Sequence, residues 1–125
     1  MSSPIIYIDT SEIREGRLEA VKAAIEELAA FIEANNPHVL SYRFFVDENA
    51  ARMTVVAVHP DSAALEFHMD VGDAEFRKFA DLLDLVSIAV YGDVGEAVRE
   101  RLDRKARMLG RGRVEVHRAA AGFSR

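Results

Sequence analysis

The 125-residue chain contains no cysteine and no tryptophan. Without thiols it cannot form disulfides, use a cysteine nucleophile, or hold zinc–cysteine sites and cysteine-bound iron–sulfur clusters. No apolar stretch approaches the roughly 18 residues that a membrane-spanning helix needs. No basic segment precedes the first apolar run, residues 5–8, so the pattern of a secretory signal is missing. We therefore expect a cytoplasmic protein that does not act on a membrane.

Basic residues are in the minority, with 16 Lys and Arg against 21 Asp and Glu and a net charge of -5. A mildly acidic chain is unsuited to non-specific nucleic-acid binding, so no nucleic-acid partner is expected. Residues 96–118 are the exception, with eight Lys and Arg against four Asp and Glu. This segment fits a solvated helix with acid–base pairs four positions apart, such as Glu100 with Arg104. The alternative is a patch for an anionic ligand or for the acidic part of a partner.

Several kinds of functional site are also missing from the sequence. The four histidines have neither the His-x-x-x-His nor the His-Glu-x-x-His spacing of a helical metal site, so no metal is expected. There is no Gly-x-Gly-x-x-Gly segment, no phosphate-binding loop and no nucleophile elbow of a serine hydrolase. What remains is ordinary globular composition, 50% hydrophobic and 30% charged, which predicts one domain over residues 1–125.

Apolar periodicity predicts eight elements in the order β-α-β-β-α-β-α-β. The predicted strands are residues 5–8, 40–46, 53–58, 85–91 and 113–118. The predicted helices end near residues 34, 83 and 109, and begin after caps at residues 9–11, 61–62 and 93. Gly72 is expected to interrupt the second helix, and Asp73 to cap its continuation. The first six elements define an α+β, ferredoxin-like antiparallel sheet with helices on one face.

The predicted sheet carries more apolar residues than helices on one side can bury. The strand residues concerned are Tyr42, Phe44, Val56, Val58, Ile88 and Val90. A sheet with two apolar faces and one helical layer commonly packs against another sheet. The simplest solution is a homodimer, because twofold symmetry is the commonest arrangement of identical subunits.

The stretch Asp-Ser-Ala-Ala-Leu-Glu-Phe-His at residues 61–68, with Phe76 further along, carries a family resemblance. Together with the element order, it resembles the antibiotic-biosynthesis-monooxygenase-like group of the dimeric α+β barrel superfamily. The resemblance implies a dimeric barrel, and its oxygenase branch oxidises phenolic or quinol-like substrates without metal or flavin. Glu75 stands where that branch often has a second histidine, and the tryptophan of the haem-degrading branch is missing.

The resemblance makes His68 the candidate catalytic residue, facing a cleft between helices and sheet. There it could orient or deprotonate a phenolic hydroxyl, since imidazole titrates near neutral pH. The alternative is a histidine that is hydrogen-bonded at the helix edge and has no catalytic role. Tyr42, Tyr91 and Phe76 are the candidate substrate-binding residues, because aromatic side chains can line a pocket for a flat ligand. Tyr7 is a third strand tyrosine that could line such a pocket, but packing in the core or at a dimer interface is the simpler explanation for all three tyrosines.

The sequence thus favours a cofactor-independent monooxygenase acting on a small aromatic or quinol-like metabolite. A non-catalytic dimeric module, which binds a small ligand or only assembles, is the alternative. A lyase or isomerase on the same fold is a third option, since fold does not fix function.

Overall fold

The computed structural model describes residues 3–125 of the chain. Its elements are β1 (Ile5–Ile13), α1 (Leu18–Asn35), β2 (Ser41–Asp47), β3 (Arg52–His59), α2 (Ser62–Arg77), β4 (Leu83–Tyr91), α3 (Glu96–Leu109) and β5 (Gly110–His117). The element order predicted from the sequence is confirmed.

The five strands form one sheet in the order β2-β3-β1-β4-β5. The first four are antiparallel to their neighbours and make the ferredoxin-like unit, whereas β5 runs parallel to β4. The antiparallel arrangement predicted for the first four strands is confirmed, and the addition of β5 makes the five-stranded sheet mixed. The cause is α3, which carries the chain back across the sheet, and such a crossover brings the next strand in parallel.

The core lies between the sheet and the three helices. On α1 the predicted apolar stripe is present, and Val21, Leu28 and Ile32 are buried against the sheet. The other two helices contribute Leu65, Met69 and Phe76 from α2, and Val98, Leu102 and Leu109 from α3. These positions repeat every three or four residues, so each helix presents one apolar face to the sheet.

The opposite face of the sheet carries no helix and leaves several apolar side chains uncovered, among polar ones such as Arg43 and Thr54. Of the six strand residues whose burial was in question, Tyr42, Phe44, Ile88 and Val90 pack on the helical side. Val56 and Val58 lie on the open face, where they pair with Ile8 and Ile6 of β1. The large exposed residues on this face are Ile6, Phe45 and Tyr91, which are 41%, 53% and 42% exposed. The single layer of helices therefore does not cover all six of these strand residues.

The first strand is longer than predicted. Asp9, Thr10 and Ser11 were expected to cap the first helix, but they lie inside β1, which continues to Ile13. The strand pairs with β3 on one side and β4 on the other, and this double pairing overrides the turn preference of the three residues. Because side chains alternate along a strand, Asp9 points to the helical side, where it is 2% exposed.

The second helix runs without a break through Gly72, so the predicted interruption is wrong. Asp73 does not cap a new helix but pairs within α2 with Arg77, at 3.0 Å. A Cβ atom at Gly72 would lie 2.7 Å and 2.8 Å from two ring carbons of Phe76, and closer still to Cζ. The glycine therefore makes room for the Phe76 ring, which lies across its own helix. The predicted cap at Asp93 is also wrong, because α3 begins after Gly95.

We expect Gly72→Ala to destabilise the protein. Alanine favours an ordinary helix by about 1 kcal/mol over glycine. Here overpacking against Phe76, which typically costs about 1–3 kcal/mol, should outweigh that gain. Urea denaturation would give the change in the free energy of unfolding. In Gly72→Ala/Phe76→Leu, the shorter side chain should relieve the clash, so the double variant should lose less than the sum of the single losses. A Gly72→Ala protein more stable than the original would contradict this account.

Candidate functional site

His68 lies on the inner face of α2 and is buried. The side-chain amide of Asn36 donates from Nδ2 to Nδ1 of His68 over 2.9 Å. The orientation of the Asn36 amide is set by its oxygen Oδ1, which accepts a hydrogen bond from the backbone N–H of His38 at 3.2 Å. Since Nδ1 of His68 acts as acceptor, this arrangement assigns the imidazole proton to Nε2. In this state His68 offers a hydrogen-bond donor to a ligand.

Aromatic rings surround His68. Tyr42 meets its ring edge-on at a centroid distance of 5.2 Å, and Phe76 and His59 lie at 5.6 Å and 4.8 Å. The structure thus brings together His68, Tyr42 and Phe76, three of the four residues that the sequence suggested for a site. His59 joins them from the end of β3.

Tyr91 does not share this location. It lies on the open face of the sheet and stacks on His117, with centroids 4.8 Å apart and an interplanar angle of 11°. Residues 85–91 are mostly apolar, so the alternation of apolar and polar residues could not predict which of these side chains face the helices. The extra residue Val86 interrupts the β1–β4 register and shifts the phase of the strand. Ile88 and Val90 therefore face the helices, and Tyr91 faces away.

A second polar cluster consists of Tyr7, Asp9 and Lys105. The Tyr7 hydroxyl donates to Asp9 Oδ2 at 2.6 Å. The Lys105 ammonium donates to the Tyr7 hydroxyl at 2.8 Å and to the same Asp9 oxygen at 3.2 Å. The side chains of Lys105 and Asp9 are only 8% and 3% exposed. This is a buried ion pair bridged by a phenol.

Sequence reasoning singled out Tyr7 as a strand tyrosine but missed its charged partners, Asp9 and Lys105. Lys105 belongs to the basic segment interpreted as a solvated helix, and the predicted Glu100–Arg104 pair does form there at 3.4 Å. Lys105, however, follows Leu102 by three residues and precedes Leu109 by four, which is the spacing of the inward stripe. This spacing could have predicted that Lys105 faces the core. Strand alternation would have placed Asp9 on the inner face of the sheet only if the first strand had been predicted to extend beyond residue 8.

Phe76 connects the two clusters. Its ring contacts His68, and the Lys105 ammonium lies 4.1 Å from its centroid. A cation this close to an aromatic face is attracted to it, most strongly where water is excluded. The two histidines, Phe76 and the ion pair therefore form one continuous region between the helices and the sheet.

A cavity opens beside the ion pair. The residues that line it are Asp9, Ser11, Leu28, Tyr42, Phe44, Met53, Val55, Phe76, Phe79, Leu83, Leu85, Lys105 and Leu109. The centre of a water molecule can occupy about 20 Å³ of it, which is room for about one water molecule. Together with the mouth that opens to solvent, the space between atoms is about 320 Å³. Tyr42 and Phe44 are the half-buried lining residues, which places the mouth at edge strand β2.

Burial and the ion pair set the protonation of the surrounding groups. Burial, reinforced by the Asp9 carboxylate, raises the pKa of Tyr7 and of Tyr42 well above the usual value of 10.0. Burial, together with the Lys105 charge, lowers the pKa of His59 from 6.5 to about 4. Burial, His59 and Lys105 also hold the pKa of His68 well below 6.5. At neutral pH both tyrosines are protonated and both histidines are uncharged.

The buried histidines predict a loss of stability in mild acid. The unfolded chain binds a proton on His59 below about pH 6.5, whereas the folded chain does so only near pH 4. The free energy of unfolding should therefore fall as the pH falls through this window, with His59 contributing about 3 kcal/mol. His68 acts in the same direction. Urea denaturation at several pH values would measure the decrease.

The matched variant for this prediction is His59→Leu. Neither ring nitrogen of His59 has a hydrogen-bond partner among the described residues, so the substitution breaks no such bond. The acid-induced decrease should be clearly smaller in His59→Leu than in the original chain. An equal decrease in the two proteins would contradict the assignment.

Neither a metal centre nor a membrane span is found within residues 3–125. No three His, Cys, Asp or Glu side chains there come together as a group that could hold a metal ion. No helix in that range is long and apolar enough to cross a bilayer.

Comparison with known proteins places the chain by its fold. No family model matches the sequence, and no curated protein matches it significantly. Among solved structures, MupZ from Pseudomonas fluorescens superposes with a TM-score of 0.78 at 22% identity, over 100% of this chain and 91% of MupZ. A Caulobacter crescentus protein, provisionally named an antibiotic biosynthesis monooxygenase, superposes with a TM-score of 0.64 at 19% identity, over 71% of this chain and 88% of its own.

A Bacteroides thetaiotaomicron protein with the same provisional name gives a TM-score of 0.57 at 19% identity, over 66% of this chain and 85% of its own. The chain therefore has the ferredoxin-like α+β fold of the antibiotic-biosynthesis-monooxygenase-like proteins. The resemblance drawn from the sequence is confirmed at the level of the fold.

Proposed function

We propose that the chain is a cofactor-independent monooxygenase of a small aromatic or quinol-like metabolite, working in the cytoplasm as a homodimer of single-domain subunits. The observation that carries this proposal is the buried His68, held by Asn36 and flanked by Tyr42 and Phe76, which both line the cavity. Proteins of the same fold that are provisionally named monooxygenases support the reaction class.

In such a reaction the substrate supplies the electrons. A phenol or enol with an activated methylene group loses a proton, and the resulting anion reduces molecular oxygen. One oxygen atom replaces the two methylene hydrogens as a new carbonyl, and the other leaves with those hydrogens as water. One methylene compound and one molecule of oxygen thus give one ketone and one molecule of water. The protein has to position the substrate, stabilise its oxyanion and exclude water.

His68 contributes a hydrogen bond to the substrate oxygen in this proposal. Its low pKa keeps the imidazole neutral, and its Nδ1 is occupied by Asn36, which leaves Nε2–H as donor. His68 is not itself among the cavity-lining residues, because the edge of Tyr42 packs against its ring. A substrate entering at the mouth would displace the Tyr42 ring and reach His68. Phe76 forms the opposite apolar wall.

The open sheet face supports the dimer. Its exposed apolar residues, Ile6, Phe45 and Tyr91, continue into the half-buried Val56 and Val58. Two such faces packed together would cover these side chains in both copies, as sheets do in sandwiches. This proposal gives Tyr91 a role in subunit contact and no place in the His68 site. Light scattering at micromolar concentration should give about twice 13.9 kDa, and a clean monomer would rule the dimer out.

The size of the cavity favours one alternative function. The cavity has room for about one water molecule, which suits a dimeric module that binds a very small ligand or only assembles. Such a module would bind or assemble without any chemical step.

Oxygen consumption distinguishes the two functions. Anthrones, naphthols and hydroquinones would be supplied in an oxygen electrode, with and without protein, since such compounds also oxidise spontaneously. A monooxygenase should accelerate uptake, release no hydrogen peroxide, and place one atom of isotopically labelled molecular oxygen in the product. Binding of panel compounds without accelerated uptake would support the non-catalytic module and contradict the oxygenase.

A further inference from the structure

Packing of the core does not by itself require an ion pair at Asp9 and Lys105. Removing two charges from water is expensive, and well-packed apolar residues in their place are often equally or more stabilising. Here the pair lies in the wall of a largely apolar cavity, with Tyr7 bonded to both partners. Its position at a cavity suggests a role toward a ligand.

Among the described residues, no side chain donates a hydrogen bond to the second carboxylate oxygen of Asp9. Both hydrogen bonds, from the Tyr7 hydroxyl and from the Lys105 ammonium, go to Oδ2. They hold the carboxylate in a fixed orientation, and Oδ1 remains as an acceptor. An anionic acceptor in a water-poor cavity binds a hydroxyl donor well, because charge-assisted hydrogen bonds are about twice as strong as neutral ones.

The dimensions of the cavity fit such a hydroxyl. The space of about 20 Å³ that the centre of a water molecule can occupy has room for one oxygen atom with its proton. The rest of a flat ligand would lie in the mouth, against the rings of Tyr42 and Phe44, which contact each other edge to face at 5.1 Å. Lys105 lines the same cavity and is the positive charge nearest to the Asp9 carboxylate.

We propose that Asp9 and Lys105 form the binding site for the acidic hydroxyl of a phenol or enol. The hydroxyl donates its hydrogen bond to Oδ1 of Asp9. A further step, during turnover, rests on the function proposed above. In that step the O–H bond breaks, the proton moves to Oδ1 of Asp9, and the electron pair stays on the ligand oxygen. The resulting oxyanion then lies beside the Lys105 ammonium, and no other reactant is needed. Tyr7 is a positioning residue that orients the carboxylate.

Binding of 4-nitrophenol tests this site, with nitrobenzene as the probe that lacks the hydroxyl. The original chain should bind the phenol roughly 10- to 100-fold more tightly than nitrobenzene, the range expected for a hydrogen bond to a charged group. In Asp9→Leu/Lys105→Met, apolar side chains replace the whole pair, so the fold should persist while the preference disappears. The control Arg14→Gln/Asp84→Asn removes an exposed pair and should keep the preference.

A spectroscopic measurement on the unmodified chain gives a second test, should the double variant fail to fold. At a pH where free 4-nitrophenol is partly ionised, bound 4-nitrophenol should show less of the yellow phenolate band than the free compound, because the hydroxyl keeps its proton in a hydrogen bond to the Asp9 carboxylate. A larger phenolate band in the bound spectrum, equal binding of both probes, or no binding of either at millimolar concentration would overturn the proposal.

The site and the proposed oxygenase activity can fail separately. If the preference for the phenol is present and no panel compound accelerates oxygen uptake, the hydroxyl site stands and the oxygenase function fails. If the folded double variant retains full oxygen uptake with a substrate, the function stands and the role of Asp9 and Lys105 is overturned.

Discussion

Phe44→Asp should unfold the protein, whereas the same substitution at the next residue, Phe45→Asp, should leave the fold intact and break the dimer. Phe44 faces the helices, packs against Tyr42 and lines the cavity. An unpaired carboxylate there would cost several kcal/mol, a large part of the roughly 5–15 kcal/mol that stabilises a typical domain. Phe45 points to the open face and is 53% exposed, so a charge costs the folded monomer little.

Circular dichroism and light scattering would separate the two outcomes. Phe45→Asp should keep its spectrum and scatter as a monomer, because each copy would bury an unpaired carboxylate in the interface. Phe67→Asp is the matched control, since Phe67 is an exposed aromatic on α2, away from the open face of the sheet. It should remain a folded dimer. A dimeric Phe45→Asp protein would mean that this sheet face is not the interface.

His68→Ala should lower the rate of oxygen consumption roughly 100-fold or more, within the usual range for losing a group that handles the substrate's proton or hydrogen bond. The chain should still fold, because the main structural loss is the hydrogen bond from Asn36. His38→Ala is the control. His38 is exposed, and its contribution to the site is a backbone N–H that alanine retains.

His68→Gln distinguishes a donor from a base. Glutamine can donate a hydrogen bond from its amide but cannot accept a proton at neutral pH. If His68 acts through Nε2–H, the Gln variant should recover part of the activity that the Ala variant loses. Equal loss in both would favour His68 as the base, and full activity in His68→Ala would remove it from the mechanism.

The order of the elements could be predicted from the sequence because the information is local. The spacing of Val21, Leu28 and Ile32 specifies the inner face of α1 without reference to other parts of the chain. Alternation in β2 and β3, with a short polar turn between them, specifies an antiparallel hairpin, which the structure contains. His68 and Phe76 were found through a resemblance carried by residues 61–76, within one helix.

The remaining features depended on partners distant in the chain. Asp9 became part of a strand because β3 and β4 pair with β1 on both sides, and no pattern within residues 9–11 contains that information. Gly72 is the exception, because its partner Phe76 lies only four residues further along the same helix, but the helical pattern alone did not show that the Phe76 ring needs the space of the missing Cβ atom. Tyr91 faced away from the site because a single extra residue, Val86, shifted the phase of β4.

Local sequence patterns were sufficient to predict the fold class, the apolar faces of the helices and the position of His68 on α2, because each follows from residues a few positions apart. The electrostatics of the site, in contrast, depends on contacts that form only in the folded chain. Asp9 and Lys105 are 96 residues apart, and each taken alone resembles an ordinary polar residue, one a helix cap and the other part of a solvated basic helix. Folding brings them within 3.2 Å, out of contact with water, where their charges act most strongly on neighbouring groups.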